Sequence, residues 1–370
     1  MSLRKAIGPV LAVFLLIGVG FAIRNSMRDR KETQLAAQRA KTAITVKILT
    51  GSEKEKFLTD TDLGKVLAEE GIVITVQKAG SREIATRPDL KSFDIAYPAG
   101  EHAAVKIAQN TGSKRTYATF YTPMAIATWK TLIPVLESSG LVSRKDGTFY
   151  LSGMAQLVDM MQKGTRWKDL PGNTAYAVGK SVLVSSTDVR KSNSGGLYLA
   201  LAAYIANGNN VVDNETDADK VAPGMVGLFS RQGFQESSSA GPFEDYTAMG
   251  IGKAPLVMIY EQQFLEYILS HPHPNPDMLL LYPTPTILSK HTLVALSDNG
   301  ARFAQVMTSN PKVSSIAQRY GFRAQDSSEL FAAVEGKKFV IPHTIVDVID
   351  PPRYDILEKL INRIDASLTK

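Results

Sequence analysis

The chain has 370 residues, 44% of them hydrophobic and 21% charged, enough to bury a large core as one two-lobed unit or two domains. It has no cysteine, which excludes disulfides, iron–sulfur clusters, thiolate zinc sites, cysteine nucleophiles and a lipid-modified N-terminal cysteine. The net charge of +6 comes from residues 1–42, where eight basic residues face two acidic ones; the rest holds 34 of each sign, which excludes the basic domain of a nucleic-acid binder.

Ala6 to Ile23 is an 18-residue stretch without a charge, preceded by Arg4-Lys5. It is long enough for a short membrane helix, and Gly20-Phe21-Ala22 also fits a signal-peptide cleavage site. The length of the run and Arg24 directly after it favour an uncleaved anchor at residues 1–23, followed by a polar, basic stem at 24–42. More Lys and Arg follow the run than precede it, so the positive-inside count alone would leave the folded part in the cytoplasm.

From Ile44 the pattern becomes that of a folded domain. Ile44, Val46 and Ile48 alternate with Thr45 and Lys47, as in a strand, and Gly51-Ser52 breaks the run. A helical stretch extends to about Glu70, Ile72, Ile74 and Val76 alternate again, and Ala79-Gly80-Ser81 ends that run. Another helical stretch and a short strand, Phe93 to Ala96, complete a β-α-β-α-β order, the grammar of a parallel sheet. Ligands of such sheets sit at the carboxyl ends of the strands, where both Gly-Ser breaks fall.

Tyr117 to Thr128 reads as an extended, mostly apolar run interrupted by Pro123, followed by a helix around Ser152 to Gln162. Tyr176 to Val178 and Val182 to Val184 are strand-like; then comes a polar turn and an Asn193-Ser194-Gly195 start to an amphipathic helix. Free N–H groups and the positive end of the helix dipole make such a start suited to an oxyanion, although Ser and Asn are also ordinary caps. Asn207 to Asp219 and Gly233 to Phe243 read as loops, the second carrying Ser237-Ser238-Ser239. Pro255 to Tyr260 and Ile287 to Leu296 read as strands, Asn299 to Met307 and Ser314 to Tyr320 as helices. Residues 354–368 form an amphipathic helix with Ile356, Leu357, Leu360, Ile361 and Ile364 on one face, expected to dock on the body of the domain.

Several catalytic signatures fail on inspection. Gly179-Lys180-Ser181 lacks the glycine a phosphate-binding loop needs at position 174, which is Thr174. Ser297-Asp298-Asn299 lacks its Ser-x-x-Lys and Lys-Thr-Gly companions in the right order. His271 and His273, with Asp277 nearby, sit in a Pro-rich turn and read as a solvated loop before a metal site. No catalytic constellation, metal site or cofactor signature emerges, so the chain is expected not to be an enzyme.

The order of these pieces resembles the extracytoplasmic solute-binding proteins of ABC-type importers, the two-lobed class that includes molybdate and sulfate binders. The likeness runs from Ile44 to Arg323: Thr50-Gly51-Ser52 and Ala79-Gly80-Ser81 after the first two strands, Phe93-Asp94-Ile95-Ala96, the crossing Thr122-Pro123-Met124-Ala125-Ile126-Ala127, the helix start within 182–201, and Gly252 to Glu261 like a Gly-x-Ala-x-x-x-x-x-Tyr strand. Leu281 to Thr286 and Ile316 to Arg323 look like a subfamily that is often anchored. Glu53-Lys54-Glu55-Lys56 and Arg82 depart from the neutral residues usual beside these turns, which would suit a charged organic solute or an altered pocket.

The resemblance implies an α/β, two-lobed, type II binding-protein fold with mixed, mostly parallel sheets. It implies one lobe from residues 43–123 plus 284–346, the other from 124–283, and a C-terminal helix at 347–370. A small polar or anionic solute would be held by Gly51, Ser52, Gly80 and Ser81 from the first lobe, and by Asn193, Ser194, Gly195 and Tyr260 from the second. The domain would stand outside the cytoplasm on a single-pass anchor, serving import with a membrane permease. The alternatives are the same fold as a tethered interaction or sensor domain, or a hydrolase or transferase with a nucleophile–base pair in the cleft.

Overall fold

A computed structural model of the chain describes Met27, residues 42–233 and residues 235–368. The anchor at 1–23 and the stem at 24–42, apart from Met27 and Thr42, lie outside the described residues. No described helix is long and apolar enough to cross a membrane.

The strands are β1 (Ile44–Thr50), β2 (Ile72–Lys78), β3 (Ile95–Tyr97), β4 (Thr116–Trp129), β5 (Val142–Lys145), β6 (Thr148–Leu151), β7 (Val257–Tyr260), β8 (Met278–Pro283), β9 (Thr286–Ala295) and β10 (Val348–Ile349). They run in the order β2-β1-β3-β9-β4-β8-β6-β5, with β7 on β4 and β10 on β9. The β-α-β-α-β reading holds: β1 pairs in parallel with β2 on one side and β3 on the other. Flanked on both edges, β1 alternates only at its start and is continuously buried from Ile48 to Thr50.

The expectation of mostly parallel sheets needs correction. β9 is antiparallel to both β3 and β4, and β4 is antiparallel to β7 and β8. The cause is β4, which is one strand of 14 residues and is not interrupted at Pro123. Its first part, through Pro123, pairs with β9; from Met124 it pairs with β7 and β8. Proline lacks a ladder donor, and here it stands where the strand changes partners.

Two lobes follow from this division. In the first, Val46, Ile48, Leu63, Ile95, Phe303 and Phe322 pack on one face of the sheet, and Leu49, Ile84, Ala96, Ile107 and Val294 on the other. In the second, Ile126, Trp129, Leu157, Trp167, Leu201, Met225 and Ile259 share one core. Leu330, Val334 and Ile341, expected in the first lobe, pack in this second core. So does the helix Tyr354–Leu368, whose five predicted aliphatic residues are all buried there. Each such burial is worth roughly 1.5–3 kcal/mol.

Four local expectations fail, one of them the loop expected from Gly233 to Phe243, which the helix Ala240–Met249 cuts short. Tyr176 to Val178 and Val182 to Val184 form no strand; isolated bridges at Arg166–Ser181 and Ser185–Val257 and scattered bonds such as Lys168 N–H to the Val178 carbonyl at 3.0 Å hold that segment without a ladder. The loop expected from Asn207 to Asp219 is cut short by the helix Glu215–Ser230, whose start is capped by Asn214 accepting from the Asp217 N–H at 2.9 Å. The helix Asn193–Ala206 is not amphipathic; Ser194 to Ala203 are buried without a break, as the central helix of the second lobe.

Candidate ligand-binding cleft

The helix Asn193–Ala206 fixes the site. Fourteen residues in a low-dielectric core direct the positive end of its dipole at the junction of the lobes. Its N-cap, Ser192, makes no side-chain cap, so the first-turn N–H groups keep their capacity to donate. Three shorter elements begin at the same place: Ser52–Lys54 and Ser81–Thr86, preceded by Gly51 and Gly80, and Ala240–Met249, whose first N–H donates to Ser238 Oγ at 3.3 Å.

These ends surround a cavity of about 390 Å³ lined by both lobes. Of the residues singled out from the sequence, Gly51, Ser52, Gly80, Ser81, Asn193 and Tyr260 line it. Ser194 and Gly195 do not. The Ser194 hydroxyl turns inward to Thr187 and Ser192, each at 2.9 Å, and the Gly195 Cα faces the Thr187 carbonyl. Helix periodicity explains this: only the first residue of the turn points out of the core.

The lobes touch across the cavity. Ser52 Oγ and Ser238 Oγ are 2.7 Å apart, and a Cβ on Gly80 would lie 2.6 Å from the Lys191 carbonyl oxygen. Gly100 leaves room for the Asn193 amide, whose Nδ2 donates to the Tyr260 hydroxyl at 3.0 Å. Ser81 Oγ accepts from the Ala99 N–H at 2.9 Å, which leaves its own proton to donate. Burial pushes the Tyr260 phenol well above its usual value, so it stays neutral.

The charged run sorts itself by geometry. Glu53 lines the cavity, whereas Lys54 turns into the core to pair with Glu53 and lies 3.3 Å from His291 Nδ1 and 4.6 Å from the Tyr97 ring centre. Glu55 pairs with Lys78 at 2.8 Å and Lys56 with Glu266 at 2.5 Å, and Arg82 faces away from the cavity. Ser192, Ser237, Ser238, Ser239, Lys78, Glu83 and Lys191 complete the wall. The serine loop carried a signal in its composition; the rim charges, single residues in ordinary polar segments, carried none.

Burial and the neighbouring Lys54 hold His291 well below its usual 6.5, and its Nε2 has no hydrogen-bond partner among the described residues. The unfolded chain therefore binds a proton that the folded chain refuses, and stability falls as pH drops below 6.5. His291→Gln, neutral throughout, is expected to lose less stability between pH 8 and pH 5 in urea unfolding. An identical loss in both proteins would contradict this.

No family model and no curated protein matches the chain by sequence. Among solved structures it is similar to a periplasmic thiamin binding protein, at 11% identity and TM-score 0.58, over 89% of this chain and 97% of that one. It is similar to a putative spermidine/putrescine ABC transporter protein from Listeria monocytogenes, at 12% identity and TM-score 0.57, over 87% and 98%. It is also similar to the periplasmic binding protein AfuA from Actinobacillus pleuropneumoniae, solved with fructose-6-phosphate, at 12% identity and TM-score 0.57, over 88% and 98%. The chain has the two-lobed α/β fold of ABC-importer solute-binding proteins.

Proposed function

We propose that this chain captures a small polar or anionic solute between its lobes and delivers it for import through a membrane permease, its folded part held outside the cytoplasm by the N-terminal anchor. The observation that carries the reading is the convergence of the start of the helix Asn193–Ala206, whose N-cap Ser192 makes no side-chain bond to it, with Ser52, Ser81, Asn193 and Tyr260, on one cavity shared by both lobes. Backbone N–H groups and hydroxyls hold an oxyanion without a dedicated counter-charge. The cleft serines bond each other and a backbone amide, the arrangement of a binding wall. The fold's solved neighbours, with a thiamin binder and a fructose-6-phosphate complex among them, point the same way.

A thermal-shift screen with phosphate, sulfate, small carboxylates, sugar phosphates and neutral polyols tests this. A ligand present at a hundred times its Kd adds about 2.7 kcal/mol, a clear rise in melting temperature. The reading expects such a rise with at least one anionic or polyhydroxylated solute, reduced in Ser52→Ala and Asn193→Ala. A flat response to the whole panel counts against capture.

A further inference from the structure

We infer that Arg82 is a positioning residue for solute capture: with Glu358 of the C-terminal helix it latches the lobes together from outside the cavity. The ligand consequence rests on the capture reading above; the latch itself does not.

The helix Tyr354–Leu368 belongs to the second lobe. Its apolar face is part of that core, and Lys359–Glu215 at 2.5 Å and Arg363–Asp219 at 2.6 Å fasten it to the helix Glu215–Ser230. From there it reaches the first lobe at two points. Glu358 takes the Arg82 guanidinium through both carboxylate oxygens, Nη2 to Oε2 at 2.6 Å, and the Tyr354 ring lies 5.6 Å from Lys106 Nζ on the helix Glu101–Thr111. Arg82 Nε also donates to the Arg190 carbonyl of the second lobe at 3.0 Å. Arg190 is tied in turn to Asp188 at 2.7 Å and to Asp365 of the same C-terminal helix at 2.9 Å.

The arrangement bears on closure because of where it sits. Arg82 follows Ser81, and Arg190 lies two residues before Ser192, so the latch joins the two walls at their edge. Neither arginine lines the cavity. The Arg82 and Glu358 side chains are only 15% and 24% exposed, and a two-point guanidinium–carboxylate bond of that kind is stronger than an open surface pair.

The test uses the ligand-free protein first. Small-angle scattering of Arg82→Gln and Glu358→Gln is expected to show a larger radius of gyration than wild type, and the charge swap R82E/E358R is expected to restore it. An unchanged radius in folded variants, or an increase that the swap leaves in place, overturns the latch. Inorganic phosphate then supplies the ligand measurement: its dissociation is expected to quicken by about tenfold in each single variant and to recover in the swap. If wild type does not bind phosphate, the capture reading loses that support while scattering still decides the latch.

Discussion

Replacing Gly80 by alanine is expected to hold the lobes apart and to weaken solute binding by about two orders of magnitude, with little change in the melting temperature of the ligand-free protein. Gly80 has φ −62° and ψ 141°, a conformation open to any residue, so the substitution strains no backbone. Its new methyl would instead meet the Lys191 carbonyl oxygen at 2.6 Å, across the cavity from the other lobe. A carbonyl in the chain just before a buried helix cannot rotate aside as a side chain would. A steric cost of about 3 kcal/mol on the closed form alone corresponds to roughly a hundredfold in affinity. Calorimetry with the best solute from the thermal screen measures the loss, and scattering reports the wider separation. An unchanged affinity would mean that closure at Gly80 plays no part in binding.

The largest loss of stability is expected from the buried pair Glu261–Arg323. Both side chains are fully buried, with Arg323 Nε donating to Glu261 Oε2 at 2.6 Å and Nη2 to Oε1 at 2.8 Å. Tyr282 donates to the same carboxylate at 2.6 Å, and Arg323 also donates to the Pro342 carbonyl at 2.7 Å. The network thus ties the start of the helix Glu261–Ser270, β8, the turn after the helix Pro311–Arg319 and the returning chain near Pro342. Glu261→Gln or Arg323→Met leaves one charge buried without its partner, which costs about 3–5 kcal/mol. Urea unfolding measures it, and a loss below about 1 kcal/mol would show that the network is easily replaced.

Much of this architecture was legible in the chain because alternation and small-residue breaks report directly on half-buried strands and their ends. Ile44 to Ile48 and Ile72 to Val76 are such strands, and the Gly-Ser breaks after them reach the cavity. Reading failed where tertiary packing overrode a local pattern. The Asn193 helix looked two-faced but is enclosed on all sides, and that enclosure turns Ser194 and Gly195 away from the cavity. The helix Glu215–Ser230 was hidden by a polar start and an internal Pro223. Of the charges beside Ser52, Lys54, Glu55 and Lys56 do not line the cavity but settle into pairs, two of them with the wall residues Glu53 and Lys78, which only three-dimensional neighbours decide.

Pro123 gives β4 a property that its unbroken length conceals. A ladder resists bending because each rung must stretch or break, but a proline contributes no N–H rung of its own. In β4 that gap falls at the border between the part paired with β9 and the part paired with β7 and β8. The strand therefore has its one missing donor at the residue where its two halves take different partners, so a twist placed there would stretch no N–H rung of residue 123.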